Sequence, residues 1–180
     1  PNMDGLELCR LIKATFETSH TPVIRLTSLS EKTKQLEGLG LGADDYITKP
    51  FDIMILTQRI KSIVKNRETV KDKAVKMIKQ NDSELIFSNE LNDRFVKKAV
   101  EVINSNISNS LFGKEEFASA MNVSSSLLYK KIKALTGQSP TDFIKIIRLN
   151  YSLELLQSRK YTVTEVSELA GFSSIGYFST

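Results

Sequence analysis

The chain has 180 residues, the length of one or two domains, and its 41% hydrophobic and 26% charged residues are the balance of a soluble globular protein rather than a disordered one. A single cysteine, Cys9, and a single histidine, His20, exclude an intrachain disulfide framework and a Cys/His zinc site and fit a reducing compartment. The net charge of +4 spreads as +1, +1 and +2 over residues 1–65, 66–110 and 111–180, too evenly to argue for a nucleic-acid partner from bulk charge; no apolar run reaches the ~20 residues of a membrane span, and the residues from Pro1 onward do not read as a basic, apolar, small-residue leader pattern.

The chain starts Pro1-Asn2-Met3, so a longer parent is expected. Leu8, Leu11, Ile12 and Phe16 fall at helical spacing. Pro22 then introduces Val23-Ile24-Arg25-Leu26-Thr27, a run of strand type. Ser30 to Leu41 reads as a weak polar helix. Tyr46-Ile47-Thr48 is a second short strand, stopped by Lys49-Pro50, and Ile53, Leu56, Ile60, Ile63 and Val64 make an amphipathic helix. This alternation implies a parallel α/β sheet, yet two strands are few for one. A domain completed from outside is therefore expected. His20 reads as a solvated loop residue and Cys9 as a small packing residue. Residues 66–90 are charged and weakly apolar, a linker with some helix in it.

Everything after residue 90 reads as helical. Phe95, Ala99 and Ile103 line one face, with Val96 and Val100 beside them. Ser139-Pro140-Thr141-Asp142 is a helix start, with a capping Ser, Pro at the first position and an acid in the first turn. Thr162 and Glu165 have capping-box spacing. The most informative feature is a repeat at an offset of 49 residues. Phe117-Ala118 aligns with Val166-Ser167, Met121-Asn122-Val123 with Ala170-Gly171-Phe172, Ser124-Ser125 with Ser173-Ser174, and Leu128-Tyr129 with Tyr177-Phe178. Each copy puts a small residue where a second helix must approach. Four residues on stands Asn122 or Gly171, the types that best tolerate a left-handed backbone. An apolar residue and a capping Ser pair follow. That is a helix-turn-helix pattern, whose second helix suits the DNA major groove.

Ser126-Leu127-Leu128-Tyr129-Lys130-Lys131-Ile132-Lys133-Ala134-Leu135-Thr136-Gly137-Gln138-Ser139-Pro140, Phe143-Ile144, Arg148-Leu149 and Gly171-Phe172-Ser173-Ser174 resemble the DNA-binding domain of AraC-type transcription regulators. The resemblance covers residues 91–180 and implies two tandem units reading successive major-groove faces. Ser125 departs from it, since a basic residue is common there; Ser167 stands for the usual Ala; and the chain stops at Thr180 inside the second recognition helix. Lys130, Lys131 and Lys133 are the candidate phosphate contacts. Ser124, Ser125, Leu127 and Lys131 are the candidate base readers, and Ser173 and Ser174 their counterparts in the second unit.

Pro1-Asn2-Met3-Asp4-Gly5, Leu26-Thr27 and Gly42-Ala43-Asp44-Asp45-Tyr46-Ile47-Thr48-Lys49-Pro50-Phe51 resemble the back part of a response-regulator receiver domain. The resemblance implies that Thr27 is the hydroxyl facing the phosphoryl group, Lys49 the cation pairing with it and Tyr46 the aromatic switch. An ammonium and a hydroxyl suit an acyl phosphate's spread charge. It also implies a cis Lys49-Pro50 bond. The acceptor aspartate and the acidic pair holding Mg2+ in an intact receiver are expected before Pro1, so this piece is expected to hold no cofactor or metal and to have no catalytic residue. Asp44 and Asp45 do not substitute, because in the family pattern they lie on the far side from the phosphate.

The fold expected is a partial flavodoxin-like α/β receiver, truncated at its N-terminus, plus an all-α domain of two helix-turn-helix units, the second truncated. The domains are a partial receiver at 1–65, a charged linker at 66–90 and an AraC-type domain at 91–180. The function expected is sequence-specific transcription regulation in a two-component phosphorelay, in the cytoplasm. Its partners would be double-stranded DNA, a histidine kinase in cis or in trans and, once phosphorylated, a second copy. Asn92-Asp93-Arg94-Phe95 and the residues after it favour the hybrid type, in which this piece is the tail of a sensor kinase. The remaining alternative is an interaction module that binds no DNA.

Overall fold

The computed structural model describes residues 3–28, 42–80, 87 and 89–173. Helix α1 (Gly5–Ala14) starts where Asp4 accepts from the Leu6 and Glu7 backbone N–H groups at 2.7 and 2.8 Å, satisfying two of the donors a helix start leaves over. Strands β1 (Ile24–Ser28) and β2 (Asp45–Lys49) pair in parallel. Ile24 stands opposite Asp45, Thr27 opposite Thr48 and Ser28 opposite Lys49. These are the two strands the extended patterns predict, and the Lys49-Pro50 bond is cis. The polar stretch Ser30–Leu41 lies outside the described residues. Cys9 is buried, as a packing residue should be, whereas Leu8 and Leu11 of the expected core face are 50% and 53% exposed.

Helix α2 (Ile53–Gln80) is one element of 28 residues, about 42 Å long. It runs without a break through the charged stretch after residue 65. Charged residues make good exposed helix faces, and the fully buried Ala74 shows that one side of this stretch is packed.

The remaining helices are α3 (Glu90–Ser105), α4 (Lys114–Ala120), α5 (Ser125–Thr136), α6 (Pro140–Gln157) and α7 (Val163–Leu169). Their starts follow the expected signals. Ser139 Oγ accepts from Asp142 N at 3.1 Å, ahead of Pro140. Thr162 and Glu165 close a reciprocal capping box, with Thr162 N donating to Glu165 Oε2 at 2.8 Å and Glu165 N to Thr162 Oγ1 at 3.3 Å. Phe95, Ala99 and Ile103 of α3 are buried in one core with Phe117, Leu128 and Phe143 from the three helices that follow.

The 49-residue repeat is a repeat of backbone geometry. In the α4 turn, Met121 N donates to Phe117 O, Asn122 N to Ser119 O and Val123 N to Ala118 O. In the α7 turn, Ala170 N donates to Val166 O, Gly171 N to Glu168 O and Phe172 N to Ser167 O. Every one of these six bonds is 2.9 to 3.1 Å long. Asn122 takes φ 56° and Gly171 φ 72°, the left-handed ending that closes a helix with a six-to-one bond. Ala118 and Ser167, the small residues of each copy, are 3% and 1% exposed.

Candidate nucleic-acid interface and switch residues

Helix α5 is capped by Ser124, whose Oγ accepts from Leu127 N at 3.2 Å. The hydroxyl therefore caps the helix while standing at the surface. Ser125, Lys130 and Lys133 are exposed and Leu127 is half-buried. Lys133 Nζ donates to Gly137 O at 2.8 Å, which places its charge at the carboxyl end of α5, where a cation is favoured. Ser173 is exposed beyond the α7 turn; Ser174 lies outside the described residues.

Lys131 corrects the sequence reading. It is fully buried, so in this arrangement it touches neither phosphate nor base. Its Nζ donates to Phe16 O at 2.7 Å, to Ser19 Oγ at 3.0 Å and to Asn92 Oδ1 at 3.3 Å. The run of lysines hid this, because Lys130 and Lys131 are a third of a helical turn apart and face different surroundings. Sequence reasoning also passed over Ser126 and Tyr129, both exposed, Tyr129 by 50%. Their signal was the spacing: Ser126, Tyr129, Lys130 and Lys133 recur at three and four residues, one face of one helix. That face offers two hydroxyls, an aromatic ring and two ammonium groups, a set able to meet phosphate oxygens and base edges.

The two units are held together through α6. Arg148 Nη2 donates to Asn109 O at 2.6 Å, ahead of α4. A Cβ added at Gly171 would lie 3.2 Å from the same guanidinium, so Arg148 touches the second turn as well.

In the α/β half, Thr27 is buried and its Oγ1 donates to Ser28 O at 3.0 Å. Lys49 is exposed at the end of β2, on the rung beyond Thr27. Period-two alternation puts Thr27 and Tyr46 on one face of the sheet, two rungs apart. The Tyr46 hydroxyl is buried without a hydrogen-bond partner among the described residues. Burial raises its pKa, with smaller effects from Cys9 and, in the opposite sense, Arg25. The strand ends thus carry the expected hydroxyl and ammonium on neighbouring rungs.

Asp44 and Asp45 are engaged elsewhere. Asp44 pairs with Lys13 at 2.6 Å and Arg67 at 3.5 Å, and accepts from Val23 N at 2.8 Å. Burial would raise its pKa, but the hydrogen bonds from Lys13 and Val23 and the charges of Lys13 and Arg67 outweigh that and hold it below the ordinary value. Asp45 pairs with Arg59 at 3.3 Å. Among the described residues no three His, Cys, Asp or Glu side chains converge as a metal donor set. His20 is half-buried rather than solvated: Arg67 donates to its carbonyl at 2.5 Å, and burial, then the Lys131 charge, lower its pKa.

Residues 1–61 match the family described as the response regulator receiver domain, and residues 117–180 match a helix-turn-helix domain family. Over 99% of its length the chain is 39% identical to histidine kinase P4 of Formosa agariphila, of which it spans 13%. Over 36% of its length it is 45% identical to the transcriptional regulatory protein YclJ of Bacillus subtilis, spanning 27% of that protein. Over 37% it is 46% identical to the response regulator ArlR of Staphylococcus epidermidis, spanning 29%. The chain thus covers less than a third of each of these relatives. No helix among the described residues is long and apolar enough to cross a membrane.

Proposed function

From a chain that joins a response-regulator receiver domain to an AraC-type helix-turn-helix domain, we propose a sequence-specific DNA-binding transcription regulator of a two-component phosphorelay. The observation that carries this is the turn geometry repeated at 49 residues, with the exposed face of Ser126, Tyr129, Lys130 and Lys133 following its first copy. Ser124, Ser125 and Leu127 sit at the amino-terminal end of α5, where base contacts arise, and Ser173 has the equivalent place in the second unit. The units are a receiver at 1–65, a connection at 66–90 that begins inside α2, and the DNA-binding domain at 91–180.

Thr27 and Lys49 face the phosphoryl group of the complete receiver, and Tyr46 reports its presence by changing the position of its ring. The partners are double-stranded DNA, a histidine kinase and, on phosphorylation, a second copy; the working place is the cytoplasm. The chain itself performs no catalysis. Treatment with a small phosphodonor should leave it unlabelled, since no residue here stands as the acceptor aspartate.

A second reading of the parent is a hybrid sensor kinase with this piece as its cytoplasmic tail. The likeness over nearly the whole chain to a protein named histidine kinase supports it. The two readings share the DNA-binding step, which anisotropy titration of a labelled duplex library tests. Affinity should fall about ten-fold or more between 50 and 200 mM salt, with one sequence retained preferentially. Binding to no duplex would leave a protein-interaction module instead.

A further inference from the structure

We propose that Lys131 is a mounting residue, fastening the first helix-turn-helix unit to the receiver loop after α1 while the exposed face of α5 stays open. The proposal rests on the DNA-binding reading only where it names that face as the one that meets DNA.

An ammonium has three protons to place, and Lys131 meets three acceptors: Phe16 O, Ser19 Oγ and Asn92 Oδ1. Two of the three come from the loop 115 and 112 residues earlier in the chain. Nζ also lies 4.3 Å from the Phe16 ring centroid and 5.3 Å from that of Phe95. The two rings meet edge to face at 5.7 Å, so each half of the molecule lends one wall of the cradle. A buried lysine lacking such partners would carry a large desolvation cost.

Helix α3 grips the same loop. Asn92 Nδ2 donates to Ser19 O at 3.2 Å, and Ser19 Oγ donates to Asn92 Oδ1 at 2.8 Å. Asn89 caps α3 and donates to Lys13 O at 3.1 Å. Ser19, Asn92 and Lys131 are all at least 95% buried. This is a closed polar network inside an apolar contact, the kind that fixes one arrangement of two surfaces. The loop leads into β1, whereas Thr27 and Lys49 stand at the other ends of the strands. The DNA-binding unit is therefore mounted at the end of the sheet away from the switch residues.

The test is hydrogen exchange on the whole chain, read by peptide, beside a salt titration of duplex binding. In Lys131→Met, exchange over residues 15–23 should quicken about ten-fold or more. Residues 117–128 and 143–147 should keep wild-type protection, and the salt slope should stay unchanged. Ser19→Ala should quicken the same loop less, and the double variant should fall short of the sum of the two. A salt slope lowered by about one unit in Lys131→Met, as expected for Lys130→Ala, with the loop still protected, would make Lys131 a phosphate ligand and overturn the proposal. Unchanged loop protection overturns it whatever the DNA result. If Lys131→Met unfolds residues 117–128, Ser19→Ala decides, and an unmoved loop there also overturns it. Absence of binding to any duplex sinks the DNA-binding reading and leaves the exchange result to judge the mount.

Discussion

At Gly171 the backbone takes φ 72°, and a Cβ there would lie 2.2 Å from the Ile107 carbonyl oxygen. A side chain would meet a left-handed backbone penalty of roughly 1–2 kcal/mol and a clash with main chain that cannot swing aside. Gly171→Ala should therefore destabilise the fold by about 2–4 kcal/mol, seen as a lower denaturation midpoint with an unchanged m-value. Asn122→Gly, at the matching turn, should move stability by only about 0.5 kcal/mol, since asparagine already accepts that conformation. Lys131 supplies a pH signature. Burial lowers its pKa to about 8, partly opposed by the Glu17 charge. In the unfolded chain it returns to about 10.4. Between these values the unfolded state binds the extra proton, so Lys131's contribution to stability rises from pH 8 to pH 10 and is lost as the pH falls back through 8. Cys9, raised by burial, works the other way over part of that range. The informative quantity is thus the difference between wild type and Lys131→Met: denaturation at pH 7, 8.5 and 10 should show the gap moving in favour of wild type as pH rises.

Helix ends were legible because their determinants are local. Ser139 with Asp142, and Thr162 with Glu165, announce themselves three residues apart, and each pair makes the expected hydrogen bonds. The same holds for Asn122 and Gly171, whose left-handed turns follow from residue type and spacing. Ser139→Ala removes the cap of α6, the helix from which Arg148 reaches the segment ahead of α4 and the turn at Gly171. It should cost about 1 kcal/mol, visible as a fall of a few degrees in melting temperature. What was not legible depends on distant partners. Lys131 reads as a surface cation beside Lys130, and it is acceptors 115, 112 and 39 residues away, on Phe16, Ser19 and Asn92, that make it an interior one. The continuity of α2 past residue 65 escaped notice because its residues are polar and its packed side surfaces in one alanine, Ala74. Thr27, Lys49 and Tyr46 came from a resemblance rather than from pattern. The register places Thr27 and Lys49 on neighbouring rungs, an arrangement that periodicity alone would not single out among strand residues.

The two halves of the molecule differ in how completely they bury their apolar side chains. In the helical half 14 of the described apolar residues close one core, Phe117 0% and Phe143 1% exposed among them, and Leu111, Leu153 and Val163 are left outside it. In the α/β half Ile53 and Met54 are 74% and 75% exposed, and Leu8, Leu11, Ile55 and Val64 are at least half exposed. Of these, Leu8, Leu11, Ile53 and Val64 are positions whose helical spacing predicts a core face. Side chains of this size gain roughly 1.5–3 kcal/mol when fully removed from water, so a surface carrying several of them favours contact with another surface. The chain should therefore self-associate as its concentration rises, with a weight-average sedimentation coefficient that climbs over the micromolar range. Ile53→Gln with Met54→Gln should shift that curve toward the monomer. Neither side chain has much buried area to lose, so the melting temperature should stay within a degree or two of wild type. Duplex binding by α5 should survive the same pair, because these residues belong to the first turn of α2. A wild-type chain that sediments as a monomer at every concentration would mean that these apolar side chains cover one another in solution. Loss of the melting transition in the double variant would mean that the start of α2 is packed more tightly than its exposure shows.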